Sequence, residues 1–357
     1  MKIAITVSSV SPGGGLTKYV CTLADILTQE GGNDVWVITT HTSSDNAELA
    51  RLVVERGIKY ESLGDKSTIA KYVSLTKLLR HISPNVIINN YNATTQYILP
   101  LLPRKIKVVH ILHNNTPDFY RVGAINGSRV AAWIAPTPAV KDYFNEYTHG
   151  RYSARVVSIP HAVDDTTLEH DYGKRGVPQL TYVGVLYEHK GVRILPQIIK
   201  QLRAVGHEFH FTFVGDGVLH DELQEQLSDE VAAGVVEFTG RVAGEEVFRR
   251  LNETDIFVYP THIDSFGLVI AEAMMNGAVP VVTLLKGITD TIVDDGVNGY
   301  LLRQDDVAGF VGKISCLLGD EAMRERMGKA AGQKARECFS KQVMKHNYIR
   351  FINSLFK

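Results

Sequence analysis

The chain has 357 residues, enough for two domains at ~150 residues each. Its 45% hydrophobic, 22% charged and 8% aromatic residues exclude a disordered, collagen-like or coiled-coil chain. With 38 Lys and Arg against 39 Asp and Glu the formal net charge is −1, so no global basic field exists to hold nucleic acid.

Short β-branched runs alternate with segments of helical period from the start of the chain. Strands are expected at 3–7, 35–39, 86–88, 108–112, 133–135 and 156–159, with helices at 16–28, after Ala47, and at 67–82. That alternation is the grammar of a parallel, doubly wound, Rossmann-like sheet. A polar stretch at 164–179 has linker composition. A second set then begins, with strands expected at 180–184, 209–214, 235–238, 256–259 and 279–283, and 321–357 reads as helical. The expected organisation is a first Rossmann-like domain at 1–168, a second at 169–340, and a helix at 341–357 crossing back onto the first. In such folds ligands bind at the carboxyl ends of the strands, here in a cleft expected between the domains.

Cys21, Cys316 and Cys338 are far apart and form no CxxC pair, which disfavours a disulfide framework or a zinc site. No apolar run approaches the ~18 residues that span a bilayer, and no signal-peptide core precedes the first strand. The expectation is a cytoplasmic protein, with any membrane contact peripheral and at the inner face. Residues 1–165 hold 17 basic and 13 acidic side chains, against 21 and 26 in the remainder. Lys66, Lys71, Lys77 and Arg80 decorate one predicted helix and Arg104, Lys105 and Lys107 form a second cluster. These are either a solvated face or a contact for anionic lipid headgroups or a lipid-phosphate acceptor.

Two segments carry chemistry. Gly13-Gly14-Gly15 follows the first strand and precedes a helix with apolar residues at Leu16, Val20, Leu23 and Leu27. Three residues without side chains let backbone N–H groups and the helix N-terminus approach an anion or a sugar hydroxyl. It is neither the dinucleotide GxGxxG nor a Walker motif. The second is 259–277, in which Ser265 is placed as the N-cap and Gly277 as the C-terminal stop of one helix. Asp264 and Glu272, eight residues apart, would then lie on the order of 12 Å apart, too far for a glycosidase pair and suited to two ends of one extended ligand.

At this segment the sequence resembles the retaining glycosyltransferases of family 4, which have the GT-B fold. Their Glu, seven residues, Glu signature stands here as Asp264-Ser265-Phe266-Gly267-Leu268 with Glu272-Ala273-Met274. The resemblance extends through Leu112-His113-Asn114, Ile159-Pro160-His161-Ala162-Val163-Asp164, Tyr182-Val183-Gly184, Lys190-Gly191, Val214-Gly215-Asp216-Gly217, Phe238-Thr239-Gly240-Arg241-Val242 and Asp295-Gly296-Val297-Asn298-Gly299.

The resemblance implies an acceptor-binding first domain supplying Gly14, Gly15 and His113, and a donor domain. The latter holds a nucleoside diphosphate sugar, of UDP or GDP type, through Lys190, Gly215, Arg241, Val242, the 265–268 helix start and Glu272. Lys190 would neutralise the diphosphate, Glu272 would bind the ribose, and His113 and Asp264 would contact the donor sugar. The implied reaction is metal-independent transfer, with retention and without a cofactor, to a glycan or lipid-linked hydroxyl in polysaccharide or glycoconjugate synthesis. Two departures stand out. Val185 occupies the place of an arginine that shares the diphosphate, with Arg241, His189 or Arg193 as possible substitutes, and Asp264 is one methylene shorter than the usual glutamate. A nucleotide-sugar-binding protein with weak or no transferase activity, and a GT-B nucleotide-sugar epimerase, remain alternatives.

Overall fold

The computed structural model describes residues 1–8, 15–30, 32–41, 46–64, 66–165, 170 and 176–357. The chain forms two compact units, Met1–Ala162 with Lys341–Lys357, and Val163–Ser340. The division falls a few residues before the boundary expected at 168, which itself lies outside the described residues.

The first unit is built on a seven-stranded parallel sheet: β1 Lys2–Val7, β2 Asp34–Thr39, β3 Lys59–Ser62, β4 Val86–Asn90, β5 Lys107–Ile111, β6 Ala132–Ala135 and β7 Val156–Ser158, in the order β3-β2-β1-β4-β5-β6-β7. Its central strands are near-continuous Ile, Val and Ala because helices cover both faces. One face packs against the helix Gly15–Asp25 and the last helix, and the other against Thr68–Ile82, Ala93–Ile98, Pro117–Ala124 and Pro138–Tyr147. The edge strand β3 was not anticipated: its sequence Lys-Tyr-Glu-Ser has no apolar run, and it is largely exposed.

The second unit repeats the design with β8 Gln179–Val183, β9 His210–Val214, β10 Val236–Phe238, β11 Ile256–Tyr259, β12 Val279–Thr283 and β13 Tyr300–Leu302, ordered β10-β9-β8-β11-β12-β13. In each sheet the strand order reverses once, between β1 and β4 and between β8 and β11, and crevices at such reversals receive ligands.

The segment 321–357, expected to be helical, is two helices, Glu321–Phe339 and Lys341–Ser354, the second standing where a separate helix was expected at 341–357. They break at buried Ser340, whose backbone is extended. The first contributes Met327, Ala331, Ala335 and Phe339 to the core of the second unit. The second contributes Met344, Tyr348 and Ile352 to the core of the first, where the Tyr348 hydroxyl meets the Tyr19 hydroxyl. The Tyr348 ring is thus integral to the first unit. Tyr348→Ala is expected to destabilise that unit by about 3–5 kcal/mol, and Tyr348→Phe by about 1 kcal/mol, as read by denaturant unfolding. A loss confined to the transition of the second unit would contradict this placement.

Candidate functional site

In the second unit the loops after β8, β9 and β11 meet backbone to backbone. Gly215 has φ +135, and a Cβ there would fall 2.0 Å from the Gly184 carbonyl oxygen. The Leu186 N–H donates to the Asp216 carbonyl at 3.0 Å, and the Leu186 carbonyl accepts the Leu219 N–H at 3.1 Å. Gly191, at φ +65, lies so close to the loop after β11 that a Cβ would sit 1.9 Å from the Pro260 carbonyl oxygen. The His262 N–H, donating to the His189 carbonyl at 3.0 Å, ties the same two loops together. Lys190, on the short turn Glu188–Lys190, is delivered by this seat to the loop that carries Asp264.

The Lys190 Nζ donates to Asp264 Oδ2 at 3.1 Å and to the Ile263 carbonyl at 3.4 Å, and lies 5.4 Å from the centre of the Tyr259 ring. Both side chains of the pair are only 16% exposed. The Tyr259 hydroxyl also donates to Asp264 Oδ2, at 3.0 Å. The other oxygen, Oδ1, accepts the N–H groups of Ser265, Phe266 and Gly267 at 2.8, 3.3 and 3.0 Å. Burial pushes the Asp264 carboxyl up, but the Lys190 ammonium and the Ser265 and Phe266 amides overcome it and leave the carboxyl below its ordinary value.

These bonds change the reading of the helix start. The helix is Leu268–Met275, with Gly267 at the cap position in the left-handed region (φ 91). Asp264, not Ser265, gathers the amides ahead of it. Because 264–267 is not helical, the helical spacing from Asp264 to Glu272 does not apply. Glu272 is half-buried within the helix, as are Ser265 and Leu268 near its start. The Phe266 ring is buried and packs edge-on against Phe339 at 5.6 Å, so its side chain serves the core. The Gly215 amide donates to the Gly240 carbonyl at 3.0 Å. Arg241 is exposed just beyond, and Val242 is half-buried against the core.

Val185 is 44% exposed and supplies no charge. Of its three possible substitutes, Arg193 is committed to Glu188, at 2.5 Å, and to Glu222. The His189 imidazole is held below its usual pKa by burial and then by Lys190, so it is neutral near pH 7.

In the first unit, His113 follows β5 at the carboxyl edge, where Asn90 of β4 is in register with Ile111. Asn90 Nδ2 donates to the Ile88 carbonyl at 3.3 Å, which orients the amide. Its Oδ1 then accepts from His113 Nε2 at 2.8 Å, giving a neutral Nε2–H tautomer with the lone pair on Nδ1. Burial, then His161 and His110, holds the His113 pKa well below the ordinary value. The His113 ring meets Tyr19 edge-on at 4.8 Å and lies 5.5 Å from the His161 ring, which is 4.6 Å from Tyr19. His110 packs: it is buried, bonded to Asn89 and Gln96, and lowered to about 3 by burial. Gly15 begins the Gly15–Asp25 helix, exposed, whereas Gly14 lies outside the described residues.

The sequence signal missed Tyr19, Asn90, His161 and Tyr259. Tyr19 lies on the helix after the glycine run and Tyr259 ends a strand, and neither position by itself marks a site. His161 carried a usable sign, standing where the family pattern has asparagine.

Comparison with known proteins bears on both units. Residues 13–167 match the model described as Glycosyltransferase Family 4, and residues 177–320 match Glycosyl transferases group 1. The chain is 31% identical over 167 residues to the sulfoquinovosyl transferase SQD2 of Arabidopsis thaliana, a match covering 46% of this chain and 31% of that protein. It thus spans about a third of the length of that relative. It is 26% identical over 329 residues to a phosphatidyl-myo-inositol mannosyltransferase of Mycolicibacterium smegmatis, covering 87% of this chain and 83% of the relative. Among solved structures, Anabaena HepE in complex with UDP and glucose superposes with a TM-score of 0.80 at 19% identity, over 99% of this chain and all of that one. Two reversing parallel sheets, the 264–272 segment and family models matching both units together show that the chain belongs to the GT-B glycosyltransferases of family 4.

Proposed function

We propose that the protein transfers a sugar, with retention and without a metal ion, from a nucleoside diphosphate sugar to a hydroxyl of a glycan or lipid-linked acceptor. The observation that carries this reading is Lys190, a half-buried ammonium held by a pair of closely packed loops at the strand-order reversal of the second sheet. An ammonium has three donors. Asp264 and the Ile263 carbonyl engage two of them, which leaves one for a phosphate oxygen as charge grows on the leaving diphosphate. Glu272 is assigned to the ribose hydroxyls and Arg241 to the diphosphate, in the absence of an arginine at position 185. In the first unit, the neutral His113 is assigned to a donor-sugar hydroxyl, with Nδ1 as its acceptor atom. The UDP complexes of HepE support a nucleotide-sugar donor. The phosphatidyl-myo-inositol mannosyltransferase relative supports a lipid-type acceptor.

Asp264 takes a different role from direct sugar contact. Its two oxygens already accept five protein hydrogen bonds, so it is assigned as a positioning residue that aims Lys190 and fixes the helix start.

Val185 favours one rival reading, a protein that binds nucleotide sugar without transferring it. Incubation with UDP-, GDP-, ADP- and TDP-sugars separates the possibilities. A nucleotide-selective thermal shift with acceptor-dependent release of nucleoside diphosphate, unchanged by EDTA, is expected. A shift without release marks a binding protein, and sugar conversion without acceptor marks an epimerase. Glu272→Ala is expected to abolish the shift, and Lys190→Ala to lower kcat by roughly a hundredfold.

For Asp264 the expectation is coupling. Asp264→Asn is expected to lower kcat, and the Asp264→Asn/Lys190→Ala double variant to be no slower than Lys190→Ala alone. Additive losses would instead make Asp264 an independent ligand contact. The lowered carboxyl pKa also fixes a sign: its stabilisation is complete above the unfolded value of about 3.9 and is lost as pH falls through the folded value. Asp264→Asn is therefore expected to cost about 3 kcal/mol at pH 7 and to flatten the acid limb of the stability profile.

A further inference from the structure

We propose that the outer face of the Thr68–Ile82 helix, together with the turn at Leu99–Leu101, is a docking surface for an anionic lipid membrane. From Lys66 to Thr116 and on to Pro117 the chain carries seven Lys and Arg and no Asp or Glu. Lys66, Lys77, Arg80, Arg104 and Lys105 are exposed, and among the described residues none of them forms an ion pair. Such a run in a chain of net charge −1 is a local field, not a by-product of composition.

The surface is also apolar, which selects among anionic partners. Leu75, Leu79 and Ile82 bury the inner face of the helix. On the outer face Ile69, Val73, Lys77 and Arg80 follow one another at intervals of three and four residues, apolar over the first half and cationic over the second. Ile69 is 76% exposed and Val73 48%. Tyr97 and Leu101, themselves more than half exposed, continue the patch. The Tyr97 ring meets Tyr72 of the helix at 6.0 Å, and Arg80 donates to the Leu101 carbonyl at 2.7 Å. Cations flanking exposed aliphatic and aromatic side chains match a lipid interface, where headgroups take the charge and the acyl boundary takes the apolar groups. A nucleic acid or an acidic protein segment would use the cations and leave Ile69 and Val73 in water. Among the described residues no helix is long and apolar enough to cross a membrane, so the contact is peripheral.

The test uses the full chain and needs no substrate, so its outcome is independent of the transferase reading. Flotation with vesicles of phosphatidylcholine containing phosphatidylglycerol is compared with flotation on phosphatidylcholine alone. The expected result is binding to the anionic vesicles only, weakened by salt. Lys77→Glu/Lys105→Glu is expected to reduce it about tenfold or more. Ile69→Ser/Val73→Ser is expected to reduce it while leaving the salt dependence in place. All four positions are exposed, and unchanged melting curves check that the variants fold. Equal binding to neutral vesicles, or no binding to either, overturns the proposal. So does tight binding of a single-stranded oligonucleotide that Ile69→Ser/Val73→Ser leaves untouched, since the face would then be a polyanion site.

Discussion

A carboxylate taken largely out of water has to be compensated, and the loops at the carboxyl edge of the second sheet are organised around that demand at Asp264. Left uncompensated it would protonate or unfold its surroundings. Three consecutive amides, a tyrosine hydroxyl and one ammonium meet it instead. Each partner has to be brought within about 3 Å, and this is possible because backbones approach where side chains are missing. Gly191 brings the Lys190 turn onto Pro260, and Gly215 brings the β9 loop onto Gly184. Alanine at either place would collide with a carbonyl, a rigid backbone atom with no room to yield. Gly191 therefore acts on charge through geometry: it lets the Lys190 turn approach the loop that carries the carboxylate.

The first unit solves a related problem with neutral groups. His113 is half-buried beside a second histidine, where a positive charge would be costly, and its pKa is depressed accordingly. Asn90 bonds to the neutral tautomer, and Tyr19 packs against both imidazoles. Tyr19 in turn is held by Tyr348, which the chain supplies from its last helix, more than three hundred residues away in sequence. The break at Ser340 makes this possible. A continuous helix from 321 would have remained with the second unit, whereas the extended backbone at Ser340 lets the final helix join the core containing β1 and β4.

Much of the fold was legible because parallel strands buried on both faces announce themselves as apolar runs, as in Ile3-Ala4-Ile5-Thr6-Val7 and Val279-Pro280-Val281-Val282-Thr283. β3 was not legible, since an exposed edge strand needs no apolar residues. Helical period continues on either side of Ser340, so periodicity alone does not mark the break, although a separate helix crossing back onto the first domain was expected at 341–357. At the site, Lys190, Asp264 and Glu272 could be named from the family resemblance. Their bonding could not. Ser265 has the composition of an N-cap, but the carboxylate one residue earlier accepts the amides, and a left-handed Gly267 delays the helix by two residues. Arg193 looked available as a spare cation because Glu188 and Glu222 come to it through the fold.

The two cationic features obey different electrostatics. Lys190 is mostly shielded, with a fixed counter-charge, so its interaction with an anion is governed by local geometry and is little screened by salt. The cations along the Thr68–Ile82 helix are exposed and act over distances comparable to the Debye length, about 10 Å at 0.1 M salt. Ionic strength should therefore act unequally on them, weakening the field of the surface cations at concentrations that leave the Lys190–Asp264 interaction nearly unchanged. A small net charge is compatible with both features because the acids are concentrated elsewhere: residues 166–357 carry 26 of the 39. Neutrality in this chain is a sum over separated charges, and each anion meets a field set by its own surroundings.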